Sequence, residues 1–145
     1  MMTITTEDLE LIEAAKNVIS RLYQEGKHHV GAAVRTRSGK IFTAVHLEAY
    51  IGRASVCAEA IAIGKAISEG EHEFETIVAV RHPEVDPNDA PNGTEIQLDV
   101  VSPCGICREL ISDYGKDTQV ILQGEEGYSK TTIGQLLPQK YTRTQ

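Results

Sequence analysis

No stretch of this 145-residue chain approaches the roughly 20 consecutive apolar positions of a membrane span, and Met1 to Lys16 lacks the basic segment and apolar core of a secretory leader. The expectation is a cytoplasmic soluble protein with no membrane partner. Positive charge is also scarce. Fourteen Lys and Arg against 21 Asp and Glu leave a formal net charge of -7, which argues against a protein that grips a nucleic-acid polymer by neutralising phosphates. A lone nucleoside or base requires no basic surface. Cysteine is limited to three residues, an odd number that completes no disulfide framework, so metal binding or thiol chemistry has to be weighed. Internal repeats, low-complexity tracts and linkers are absent, and residues 1–145 read as a single domain.

What is present reads as alternating helices and strands. Thr6-Glu7-Asp8-Leu9 offers a helix cap, and Leu9, Ile12, Ala15, Ile19 and Leu22 follow at helical spacing until Gly26. Val30 to Val45 is apolar and β-branched on both sides of Arg37-Ser38-Gly39-Lys40, which predicts a hairpin, with Val30 and Phe42 as strand packing and His46 to Ser55 as loop. Residues 57–69 form an alanine-rich apolar run closed by Gly70, a buried helix. Thr76 to Val80 reads as a central strand, and His82 to Asp99, with three prolines, as an exposed loop of lid-like length. Cys104 to Tyr114 reads as a helix, Gln119 to Leu122 as a strand and Thr131 to Leu136 as a short helix. Strands alternating with helices imply a mixed sheet covered on both faces, in three layers.

The chemistry concentrates in two segments, Cys57-Ala58-Glu59 and Pro103-Cys104-Gly105-Ile106-Cys107, each opening a predicted helix. Alone, each is ordinary: a single Cys in an apolar helix is usually core, and C-x-x-C is shared by zinc, redox and chance. Together they supply three thiolates, one fewer than a closed structural zinc site, leaving a fourth position for water. Zinc held in this way lowers the pKa of bound water from 15.7 toward about 7. Helix N-termini favour thiolate over thiol. Glu59, two residues beyond Cys57, is placed near the metal without being a ligand, as a proton shuttle requires. The order Cys-x-Glu then Pro-Cys-x-x-Cys is that of the zinc deaminases acting on cytosine or adenine rings.

With those residues in view, the chain resembles the homotetrameric cytidine deaminase family, blasticidin-S deaminases included. The resemblance rests on His29 to Val34, Ser38 to Thr43, Cys57 to Gly70, Ser102 to Leu110 and Ile133 to Pro138. It implies a three-layer α/β/α sandwich with a mixed five-stranded sheet, the fifth strand near Asp99 to Ser102 or in the tail. It further implies one Zn²⁺ per chain on Cys57, Cys104 and Cys107, catalysis by Glu59, a small aminopyrimidine nucleoside or analogue as partner, and a homotetramer. His46-Leu47-Glu48 stands where the family's Asn-x-Glu binds the sugar, so Glu48 fits and His46 departs. Ala58 and Ser102 are implied as ring contacts, and Tyr141 as an aromatic covering a site, often a neighbour's. Nucleoside-acting members carry Arg directly after the catalytic Glu where this chain has Ala60, a feature shared with blasticidin-type enzymes. Arg53 and Arg108 are the candidates to offset thiolate charge.

The expected reaction is hydrolytic loss of the 4-amino group of a cytidine-like nucleoside, with blasticidin S, a modified nucleoside or a free base as alternative substrates. Two rivals stand in other classes. A structural zinc module needs a fourth ligand, for which His46 and His82 are available, and a thiol redox protein would cycle Cys104 with Cys107. Both leave Cys57-Ala58-Glu59 unexplained.

Overall fold

Thr5, not Thr6, caps the first helix, α1 (Thr6–Leu22): its hydroxyl accepts the Asp8 N–H at 3.2 Å while the Asp8 carboxylate accepts the Thr5 N–H at 3.0 Å. This reciprocal box satisfies two amides that the first turn leaves without partners. Leu11, Ile12, Ala15, Val18 and Ile19 then form one buried stripe. The computed structural model describes residues 2–85 and 96–143, and in it that stripe lies against one face of a mixed sheet.

β1 (Val30–Thr36) and β2 (Ile41–Val45) form the expected antiparallel hairpin, turning at Gly39, whose φ of 93° suits glycine. β3 (Phe74–Arg81) pairs antiparallel with β1 and lies at the centre. Strand alternation divides the core between two faces. Ala33 and its partner Val78 pack with Val80 toward α1, whereas Val34 and its partner Ile77 pack with Ala32 toward α2 (Ala58–Ser68) and α3 (Gly105–Tyr114). The three-layer expectation therefore holds.

The sheet has six strands, not five. β5 (Gln119–Gly124) pairs in parallel with Thr76 and Ile77, while β4 (Asp99–Val101) pairs antiparallel with the far half of β3. Gln123 ties the two together: its side chain accepts the Val100 N–H at 2.8 Å and donates to Asp99 at 3.3 Å. β6 (Gly127–Thr132), antiparallel to β5, is the strand that sequence pattern does not reveal. The predicted helix over Thr131 to Leu136 is corrected accordingly: Thr131 and Thr132 end β6, and only Ile133–Leu136 turns, as a 3-10 helix. The signal was the tight Gly124-Glu125-Glu126-Gly127 turn. It was obscured because β6 buries polar Lys130 and Thr131 instead of alternating apolar residues.

Lys130 reaches a buried ion cluster. Asp8 is fully buried and accepts Lys130 Nζ at 2.7 Å and Arg35 Nη2 at 2.9 Å, while Arg35 Nε donates to Glu75 at 2.9 Å. Burial alone would raise the Asp8 pKa, but Lys130, the Thr5 amide and Arg35 outweigh it and hold the carboxyl at about 2. Of the predicted His82 to Asp99 loop, residues 86–95 lie outside the described residues. His82 itself is buried, its ring stacked on Tyr23 with centroids 3.7 Å apart. Among the described residues no helix is long and apolar enough to cross a membrane.

Candidate metal and active site

Two helix N-termini meet on the face of the sheet opposite α1. Cys57 is the N-cap of α2 and Cys104 the N-cap of α3, with Cys107 one turn further in. Their sulfurs lie within 4.8 Å of one another, with Cys57 and Cys104 at 3.7 Å and all three thiols free. Tetrahedral zinc with Zn–S bonds of about 2.3 Å sets its sulfurs about 3.8 Å apart, so spacing and donor type both fit that ion. Among the described residues the group of potential ligands comprises these three cysteines alone. Neither His46 nor His82 joins them, which leaves a closed four-ligand module without its fourth ligand there.

The electrostatics set the thiols against one another. Burial, with the Glu59 charge added, pushes the Cys107 thiol far above its usual range, and burial also raises Cys57. Burial acts on Cys104 in the same direction but is overcome by the Cys107 and Ile106 amides at the start of α3, which hold that thiol low. Glu59 sits in the first turn of α2, only 6% exposed. Its burial raises the carboxyl pKa, partly offset by its own backbone amide and by Cys107.

A cavity of about 270 Å³ opens beside these groups. Of the expected substrate contacts, His46, Glu48, Ala58 and Ser102 line it together with Cys57, Glu59 and Cys104. Val30, Ser55, Val56 and Val101 complete the wall, a role that sequence reasoning does not assign them. Val30, expected as strand packing, does pack on the core, while its other side faces the cavity. Ser55 and Val56, immediately before the Cys57 cap, were open to the same reasoning as Cys57 itself.

His46 is held in one tautomer. Its Nδ1 accepts the His29 and Val30 N–H groups at 2.7 and 3.2 Å, so a neutral ring carries its proton on Nε2, 3.3 Å from the Glu48 carboxylate. Burial lowers the His46 pKa against the pull of Glu48, and the ring is therefore a fixed donor beside a carboxylate acceptor.

The remaining candidates lie elsewhere. Arg108 donates to the Pro103 carbonyl at 2.9 Å, the Leu136 carbonyl at 3.0 Å and the Ser102 hydroxyl at 3.0 Å, bracing the segment that leads into Cys104. Arg53 is exposed on a 3-10 turn, Gly52–Ala54, outside the cavity wall. Tyr141 is 79% exposed and does not line the cavity of its own chain.

Three convergent sulfurs and a buried carboxylate at two helix starts, on a six-stranded mixed sheet, define a zinc-binding deaminase site. Residues 5–123 match the family model of the cytidine and deoxycytidylate deaminase zinc-binding region, and the chain belongs to that family. Among its relatives is the blasticidin-S deaminase of Bacillus cereus, 56% identical over 140 residues, covering 97% of this chain and 96% of the relative. A probable cytidine deaminase of Dictyostelium discoideum is 31% identical over 134 residues, covering 91% and 82%. The crystal structure of cytidine deaminase from Burkholderia pseudomallei superposes with a TM-score of 0.72 at 28% identity, covering 95% of this chain and all of that one.

Proposed function

We propose that this chain is a zinc-dependent hydrolytic deaminase that exchanges the exocyclic 4-amino group of an aminopyrimidine nucleoside for a carbonyl oxygen, consuming water and releasing ammonia. The observation that carries this is the juxtaposition of Glu59, buried and charge-poor, with the three-cysteine cluster on one wall of a cavity of about 270 Å³. Zinc held by Cys57, Cys104 and Cys107 would supply a Lewis acid that acidifies water at neutral pH. Glu59, its proton affinity raised by burial, takes a proton from the attacking water and returns it first to the ring nitrogen and then to the departing amine. The Ala58 and Ser102 segments border the ring position, and the His46 donor with the Glu48 acceptor offers a matched pair for sugar hydroxyls. Arg108 acts by positioning Ser102 and Pro103, and Arg53 contributes long-range positive charge.

A second substrate, blasticidin S, is favoured by the 56% identity to the Bacillus cereus enzyme and by Ala60 after Glu59. We also infer one catalytic domain over residues 1–145 and assembly as a homotetramer in which Tyr141 reaches a neighbour's site. Ile51, Ile106 and Tyr141 support this, standing 70%, 77% and 79% exposed. The test is ammonia release by zinc-quantified protein with cytidine, deoxycytidine, cytosine, adenosine and blasticidin S. Release from a cytosine nucleoside is the expected result. Silence on all five from protein that carries one zinc per chain would sink the pyrimidine reading.

A further inference from the structure

The cavity does not end at His46 and Glu48. A second recess of about 420 Å³ continues from it, sharing Val30, His46 and Glu48 and adding Gly26, His29, Arg81 and Glu84. Neither Glu59 nor any of the three cysteines lines this recess, so it extends away from the reacting end. Small-molecule pockets commonly span about 300 to 1,000 Å³, and the first cavity, at about 270 Å³, is already sized for a ring and its sugar. An unsubstituted nucleoside therefore leaves the second recess empty.

Its lining has a definite charge. Glu48 and Glu84 present two carboxylates and Arg81 one guanidinium, while the His46 ring, its Nδ1 occupied by two backbone amides, donates from Nε2 toward Glu48. An anionic substituent entering here meets net negative charge, and a cationic one meets two partners. Resting on the deaminase reading above, we propose that this recess is a specificity subsite for a protonated amine carried on the sugar end of the substrate, held between Glu48 and Glu84.

Three probes decide it: cytidine, 5′-amino-5′-deoxycytidine and cytidine 5′-monophosphate, compared by kcat/KM in the zinc-loaded protein. The amino nucleoside is expected to exceed cytidine by about fivefold, as for a partly solvated ion pair, and the monophosphate to fall below both. The preference should shrink with added salt, and the ratio of amino nucleoside to cytidine should approach one in Glu84→Gln. An amino nucleoside no better than cytidine, or a preference untouched by Glu84→Gln, would overturn the subsite. Calorimetric binding of the same ligands to Glu59→Gln protein reads the recess without chemistry. If the wild type turns over none of the three with zinc bound, the deaminase reading fails, and the binding preference still decides whether the recess selects a cation.

Discussion

Glu59 and the cysteines perform separable tasks, and substitutions should separate them. Replacing Glu59 by Gln keeps size and burial but removes the proton acceptor, so zinc content and folding are expected to persist while turnover falls by roughly 10²- to 10⁴-fold or more. Activity above a few per cent of wild type in a zinc-loaded Glu59→Gln protein would remove Glu59 from proton transfer. Cys104→Ser and Cys107→Ser should instead lose metal, and stability with it, because metal binding on a site absent from the unfolded chain is folding free energy. Metal analysis of the purified variants checks this, and full zinc occupancy in either would contradict the ligand set. These residues were legible in the sequence because two segments had to be explained together. His46 was legible only as a departure from a pattern: its tautomer depends on the His29 and Val30 amides, 17 and 16 positions away in the chain.

The elements expose a different set of constraints. Gly31 on β1 faces α1 so closely that a Cβ there would lie 2.6 Å from the Ala15 carbonyl oxygen and 2.8 Å from Ile19 Cβ. Backbone and a packed helix have little room to yield, so Gly31→Ala should cost roughly 1–3 kcal/mol, read as a lower urea midpoint. A midpoint equal to wild type would mean that α1 shifts freely on the sheet. Asp8 joins the α1 cap to β1 and β6 through Arg35 and Lys130. Its carboxyl is held at about 2, below its ordinary 3.8, so its contribution is complete above about pH 4 and is lost as pH falls toward 2. The stability gap between wild type and Asp8→Asn should therefore be constant from pH 7 to 5 and narrow below pH 4. A gap that widens with acid would contradict the assignment. Neither constraint was visible in the sequence. Gly31 resembles any strand glycine until a helix is laid on it, and Lys130 is an ordinary surface lysine until β6 turns it inward.

At the scale of the whole molecule, the exposed Ile51, Ile106 and Tyr141 lead to an expected sedimentation mass four times the 15.9 kDa of one chain, and a monomer at micromolar concentration would contradict the proposed assembly. What the sequence determined by itself was whatever depends on local pattern. Helical spacing in α1, the Gly39 hairpin, the apolar β3 and the two cysteine-bearing helix starts are all written within a few consecutive residues, and so were the α/β layering and the metal ligands. What only the tertiary structure decided depends on which distant segments meet. β4 and β5 divide the edge of β3 between them, and polar β6 became a strand because β5 offered an edge and Asp8 a charge. Arg108 was turned to carbonyls of Pro103 and Leu136, and the recess beyond Glu48 was closed by Arg81 and Glu84, brought there from the end of β3. Periodicity reports the face that one segment buries, whereas a cavity is the space left among several, and no single segment encodes it.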